Sequence, residues 1–166
     1  KVDYVLIGHS ERRQYFAETD ETVNQRCKAA LKADLSVVLC IGETEQERVD
    51  GITFDVLQKQ LALGLAELSA TDMEKIVIAY VPVWAIGTGK TASDQDAQDA
   101  HVCIRSYLNE LFPNSSVAEN TRVLYGGSMN AKNAAGLLAQ QDIDGGLIGG
   151  AALKVEDFTT IINSAK

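Results

Sequence analysis

Two glycine stretches late in the chain, Tyr125-Gly126-Gly127-Ser128 and Ile148-Gly149-Gly150-Ala151, put bare backbone amides where a strand gives way to a loop. Glycine lets an anion reach the backbone, and successive amides pointing one way form a nest for phosphate. Ser128 adds a hydroxyl donor. Either stretch alone reads as a tight turn. The pair, in the last two structural units, reads as a phosphate-binding site, the position at which barrels of alternating strands and helices commonly hold phosphate.

Upstream, Ala79-Tyr80-Val81-Pro82-Val83-Trp84-Ala85-Ile86-Gly87-Thr88-Gly89-Lys90-Thr91-Ala92 has the composition of a hinged lid. Pro82, Val83 and Trp84 form one hinge, Lys90, Thr91 and Ala92 the other, and the small residues between them include Gly87, whose N–H is a candidate donor. A closing loop excludes water and adds backbone donors. The plainer reading is an ordinary connection that Trp84 anchors to the body. His9 ends the first strand candidate, and Ser10 is expected to cap a short helix through Arg13, whose positive end favours a neutral imidazole. A strand-end histidine is more often structural than catalytic. Glu11 is placed to orient a cation at the same rim, although a loop glutamate is usually a solvated charge, and Glu43 is read as solvated too. His101 is expected to be structural, and Asp3, Asp20, Asp144, Arg13 and Arg105 to be scaffold charges.

Short β-branched runs alternate with segments of helical period. The predicted strands are Val2 to Ile7, Ser36 to Ile41, Lys75 to Val81, Arg122 to Gly127 and Gly145 to Gly150. The helices run from about Glu21 to Ala33, Thr53 to Leu68, Ser93 (as cap) to Phe112, Asn130 (as cap) to Gln140, and Val155 to Ala165. Strands apolar on both faces, each followed by a helix, predict an α/β fold with a parallel sheet covered by helices. Function is then expected at the carboxyl ends of the strands.

Composition limits the classes further. The chain has 166 residues, enough for one domain (1–166), with a formal charge of −8 and no block of Lys or Arg. That argues against a nucleic-acid or anionic-membrane surface. Cys27, Cys40 and Cys103 lie far apart in apolar-periodic segments with no metal-ligand spacing, so they read as buried reduced thiols and no metal is expected. No segment approaches the roughly 20 apolar residues of a membrane span, and a cytoplasmic location is expected. Lys1 leads directly into a strand-like run, which predicts further chain before it.

Five stretches in fixed order, IGHSERR, CIGE, VPVWAIGTGKTA, YGGS and DGGLIGGA, resemble a bacterial-type triosephosphate isomerase over essentially the whole chain. The resemblance implies a partial (β/α)8 barrel, five consecutive βα units, and interconversion of dihydroxyacetone phosphate and glyceraldehyde 3-phosphate by proton transfer through an enediolate, in glycolysis and gluconeogenesis, without cofactor and usually as a homodimer. That family is itself a standard worked case of pKa tuning, in which a glutamate base and a neutral histidine act beneath a loop that closes and excludes water. By position, His9 is similar to the electrophile that polarises the carbonyl. Gly87, Ser128, Gly149 and Gly150 are similar to the phosphate cradle, Glu11 to the carboxylate that holds a catalytic lysine, and Arg105 with Asp144 to a supporting ion pair.

Two departures follow. The family pattern at the lid entry is A-Y-E-P-V-W, and Val81 stands where the glutamate base belongs. Five units where such a barrel has eight in about 250 residues leave three unaccounted for, and with them the family's asparagine, substrate lysine and dimer-interlocking loop. The chain is therefore expected to be severely impaired as an isomerase. The competing expectations are a non-catalytic phosphate-binding scaffold and an assembly fragment that works only with the missing units.

Overall fold

A computed structural model describes residues 2–86 and 90–165. Strand β1 (Tyr4–Ile7) leads through Gly8 into α1 (Ser10–Tyr15) and α2 (Asp20–Lys32). Strand β2 (Ser36–Ile41) is followed by α3 (Glu45–Val49) and α4 (Thr53–Gly64). Next come β3 (Ile76–Tyr80), a single 3-10 turn at Val83–Ala85, and α5 (Asp94–Leu111). Helix α6 (Val117–Asn120), β4 (Val123–Tyr125), α7 (Ala134–Leu138), β5 (Gly145–Gly146) and α8 (Val155–Asn163) complete the order.

The five strands pair in sequence order, all parallel, so the fold is α/β with one sheet whose edges are β1 and β5. The sheet is not closed, consistent with part of a barrel. Register sorts the side chains into two faces. Ile7, Val37, Leu39, Ile41, Ile78, Tyr80, Val123 and Tyr125 meet the helices, against Val23, Leu57, Leu61, Ile104 and Leu108. Val38, Cys40, Ala79 and Val81 occupy the other face, packed with Val77, Leu124, Leu147 and Ile86. Tyr4 and Leu6, 53% and 46% exposed, are the open end of that second face.

Several boundaries differ from expectation for local reasons. Between β2 and α4, where no helix is predicted, α3 forms because Thr44 and Glu47 make a reciprocal capping box. Asn130 does not cap α7: its Oδ1 accepts from Lys132 N at 2.9 Å in a local turn, and the helix begins only at Ala134. The glycine-rich run at Gly145 supplies a two-residue strand rather than six. Ser93 caps α5 as expected, accepting from Asp96 N at 3.0 Å. Cys27 and Cys40 are buried, and burial pushes both thiols up to about 12, whereas Cys103 is only half-buried. Among the described residues no helix is long and apolar enough to cross a membrane.

His101 on α5 is fully buried, its Nδ1–H donating to Ala97 O at 2.7 Å and its ring edge-on to Tyr80 with centroids 5.8 Å apart. Burial holds the imidazole at about 4, against 6.5 in an unfolded chain. On acidification the unfolded chain therefore takes up this proton first. The stability that the neutral ring contributes is complete above about pH 6.5 and is lost as pH falls toward about 4, a loss of roughly 3 kcal/mol. His101→Gln is expected to flatten the dependence of unfolding free energy on pH across that window, measured by urea unfolding; an unchanged slope would refute the assignment.

Candidate active site

The turn after β1 is built to present His9. Gly8 has φ +78°, and a Cβ there would lie 2.9 Å from Cys40 O, so both conformation and space call for glycine. Arg13 locks the turn, donating from Nε to Gly8 O at 2.8 Å and pairing through Nη1 with Asp20 at 2.6 Å. Glu18, its side chain 1% exposed, accepts from Arg12 at 3.1 Å and Arg26 at 2.8 Å and so ties α1 to α2. Arg13 and Asp20, read as scaffold charges, hold the turn that carries the histidine.

The cap of α1 is His9 itself, not Ser10, which lies buried inside the helix. The helix also runs to Tyr15 rather than Arg13. His9 Nδ1 accepts from Glu11 N across a long 3.4 Å contact. Geometry thus assigns the acceptor role to Nδ1, and the neutral ring carries its proton on Nε2.

His9 lines a cleft of about 410 Å³ at the carboxyl ends of the strands, together with Val81, Ser128, Gly149 and Gly150. Leu6, Ile86 and Leu147 supply its apolar wall. Five residues separated by up to 141 positions in sequence are therefore brought to one site. Among the described residues His9 is the only titratable group lining this cleft, and no carboxylate lines it. Glu11 is exposed and does not line it. Gly87 lies outside the described residues.

Glycine means different things at the two glycine pairs. A Cβ at Gly126 would come within 2.7 Å of Val81 Cγ2, and one at Gly127 within 2.2 Å of Tyr125 Oη, so packing accounts for both. At Gly149 and Gly150 nothing lies within 4 Å of an added Cβ. Those two bare amide stretches border open cleft.

The segment read as a lid is tied down at both described ends. The Ser128 hydroxyl donates to Ala85 O, so in this arrangement its proton serves the lid. Ala92 N–H donates to the Tyr125 hydroxyl at 3.3 Å, and Lys90 pairs with Glu45 on α3. At Trp84 the segment is anchored by Glu43. Contrary to the expectation of a solvated charge, Glu43 is fully buried. Its Oε1 accepts from Trp84 Nε1 at 2.8 Å and from the Tyr80 hydroxyl at 3.2 Å, with Arg48 Nη1 3.7 Å away. Arg48 stacks over the Trp84 ring at 4.5 Å and reaches Asp96 at 2.9 Å, at the start of α5. The Ser93 hydroxyl, with the Arg48 guanidinium, holds Asp96 below the usual carboxylate range, while burial and the Glu43 charge push the Tyr80 phenol up.

Sequence reasoning misses this hub, yet a signal exists: a tyrosine O–H and a tryptophan N–H four positions apart, at the end of an apolar strand, call for a nearby acceptor once they are withdrawn from water. Gly42, beside it, is demanded by the hinge, since a Cβ there would lie 2.0 Å from Val81 O. The Arg105–Asp144 pair forms at 2.6 Å, bracing α5 against the approach to β5.

A family model described as triosephosphate isomerase matches residues 1–165. The triosephosphate isomerase of Geobacter metallireducens is 58% identical over 160 residues, covering 96% of this chain and 63% of that protein. That of Syntrophotalea carbinolica is 57% identical over 159 residues, with 96% and 63% covered. That of Chloroherpeton thalassium is 52% identical over 164 residues, with 99% and 65% covered. The chain spans just under two thirds of the length of these curated relatives.

Proposed function

Because the chain belongs to the triosephosphate isomerase family, we propose that its cleft is a site for a phosphorylated triose that keeps its binding elements and lacks the group that removes the proton. The contrast between the glycine pairs carries this reading. Packing explains Gly126 and Gly127, whereas no described atom lies within 4 Å of a Cβ added at Gly149 or Gly150, so the space in front of their amides is open to an anion.

The chemistry follows from position. Interconverting dihydroxyacetone phosphate and glyceraldehyde 3-phosphate needs a base to take a proton from carbon and an acid at the neighbouring oxygens. His9, with its proton on Nε2, supplies the acid by hydrogen-bonding to the carbonyl and moving the proton between the two oxygens. Val81 has no lone pair with which to take the proton from carbon. Ser128 joins the cradle once its hydroxyl is released from Ala85. Lid closure over the phosphate would then exclude water from the enediolate.

Dihydroxyacetone phosphate added to the chain is expected to shift the amide resonances of Gly149 and Gly150 without being converted. Unmoved Gly149 and Gly150 amides at millimolar ligand would sink the proposal.

The exposed face of β1 favours a companion reading. Its Tyr4 and Leu6 are half-exposed and its outer edge is unpaired among the described residues, a feature that stable sheets cover. We read the sheet as part of a barrel that the further length present in the relatives would complete.

A further inference from the structure

The valine that removes the base also changes what the site can hold. Val81 is 3% exposed and packed with Ala79 and Cys40, and Ile86 and Leu147 lie against the same cluster. Val81, Ile86 and Leu147 line the same cleft as His9, Gly149 and Gly150 and give it an apolar wall. We propose that the cleft selects phosphate monoesters with a short apolar body, such as an alkyl phosphate, over hydroxylated triose phosphates. This rests on the phosphate cradle proposed above and specifies what the remainder of the ligand must be.

The wall offers a triose nothing to replace the water it gives up. Among the described residues the polar side chains lining the cleft are His9, Ser128 and Asn130, and Val81, Ile86 and Leu147 have no polar side-chain atom. A hydroxyl left unpaired in such surroundings weakens binding by roughly 5- to 100-fold, whereas each buried methylene strengthens it by roughly fourfold. The volume of about 410 Å³ falls within the range of small-ligand sites and accommodates a body longer than three carbons.

The test titrates the full chain with inorganic phosphate, dihydroxyacetone phosphate and n-butyl phosphate, reading affinity by calorimetry and location from the amide resonances of Val81, Gly149 and Gly150. Butyl phosphate is expected to bind at least tenfold more tightly than dihydroxyacetone phosphate. Val81→Thr, which keeps the shape of valine and adds a hydroxyl, is expected to narrow that ratio severalfold. Equal affinities, with both ligands shifting Gly149 and Gly150, would overturn the selectivity and leave the cradle standing. Shifts at Gly149 and Gly150 from none of the three would overturn the cradle and the selectivity together. Tight butyl phosphate binding that leaves Val81 and the cradle amides unmoved would overturn the selectivity as a property of this site.

Discussion

Val81→Glu is expected to raise isomerase turnover by roughly 10²–10⁴-fold when the chain is extended to the full length of its relatives, the range that a positioned general base typically contributes. The fold leaves space for the longer side chain. Val81 directly follows β3 and lines the cleft of about 410 Å³, and Gly126 beside it presents no side chain. The surroundings also suit a base. Ile86 and Leu147 would desolvate the new carboxylate and raise its pKa toward the operating range, where a carboxylate takes a proton most effectively. The same desolvation is expected to lower stability by about 1–3 kcal/mol, so unfolding must be measured alongside turnover. Val81→Gln, of the same length without the basicity, is expected to stay at background. If Val81→Glu remains folded, binds the triose phosphate and still turns over no faster than Val81→Gln, position 81 is not the place of the base.

The class, the alternation and the end of the sheet that carries the site are readable in the sequence, because each rests on local information. Strand runs such as Ser36 to Ile41 are apolar on both faces, Ser93 and Asp96 announce a helix start, and glycines mark the strand ends. What stays hidden depends on pairings between distant segments. Glu43 and Trp84 are 41 positions apart, and only the folded chain turns an apparently solvated glutamate into a fully buried acceptor. His9 as its own helix cap is hidden for a different reason. Serine is the commoner capping residue, so the pattern points to Ser10, but the lone pair on Nδ1 performs the same task one position earlier. The glycine pairs look alike in sequence. They separate only when the space around each is known, with Tyr125 and Val81 filling it in one case and open cleft in the other.

Glu43→Ala is expected to destabilise the chain by about 3–5 kcal/mol, the cost of breaking a buried charged pair from one side. The substitution leaves the Trp84 N–H and the Tyr80 hydroxyl without their acceptor and Arg48 without its inner partner. At roughly 2–4 °C per kcal/mol for a chain of this size, that corresponds to a melting temperature lower by roughly 6–20 °C. Glu43→Gln keeps one carbonyl oxygen in place for both donors and loses only the charge. Its expected cost is about 1–2 kcal/mol, in line with weakening hydrogen bonds to a charged group. The consequence for the lid is separable from stability because Trp84 is the single tryptophan of the chain, so its fluorescence reports the first hinge directly. Freed from Glu43, the indole is expected to shift its emission in Glu43→Ala under fully native conditions, while Glu43→Gln stays close to the parent. Arg48 couples the hinge to Asp96 at the start of the helix beyond the lid, so Arg48→Ala is expected to move the same emission in the same direction by a smaller amount. A Glu43→Ala chain with parental melting temperature and parental emission would show that the buried carboxylate does not hold the hinge.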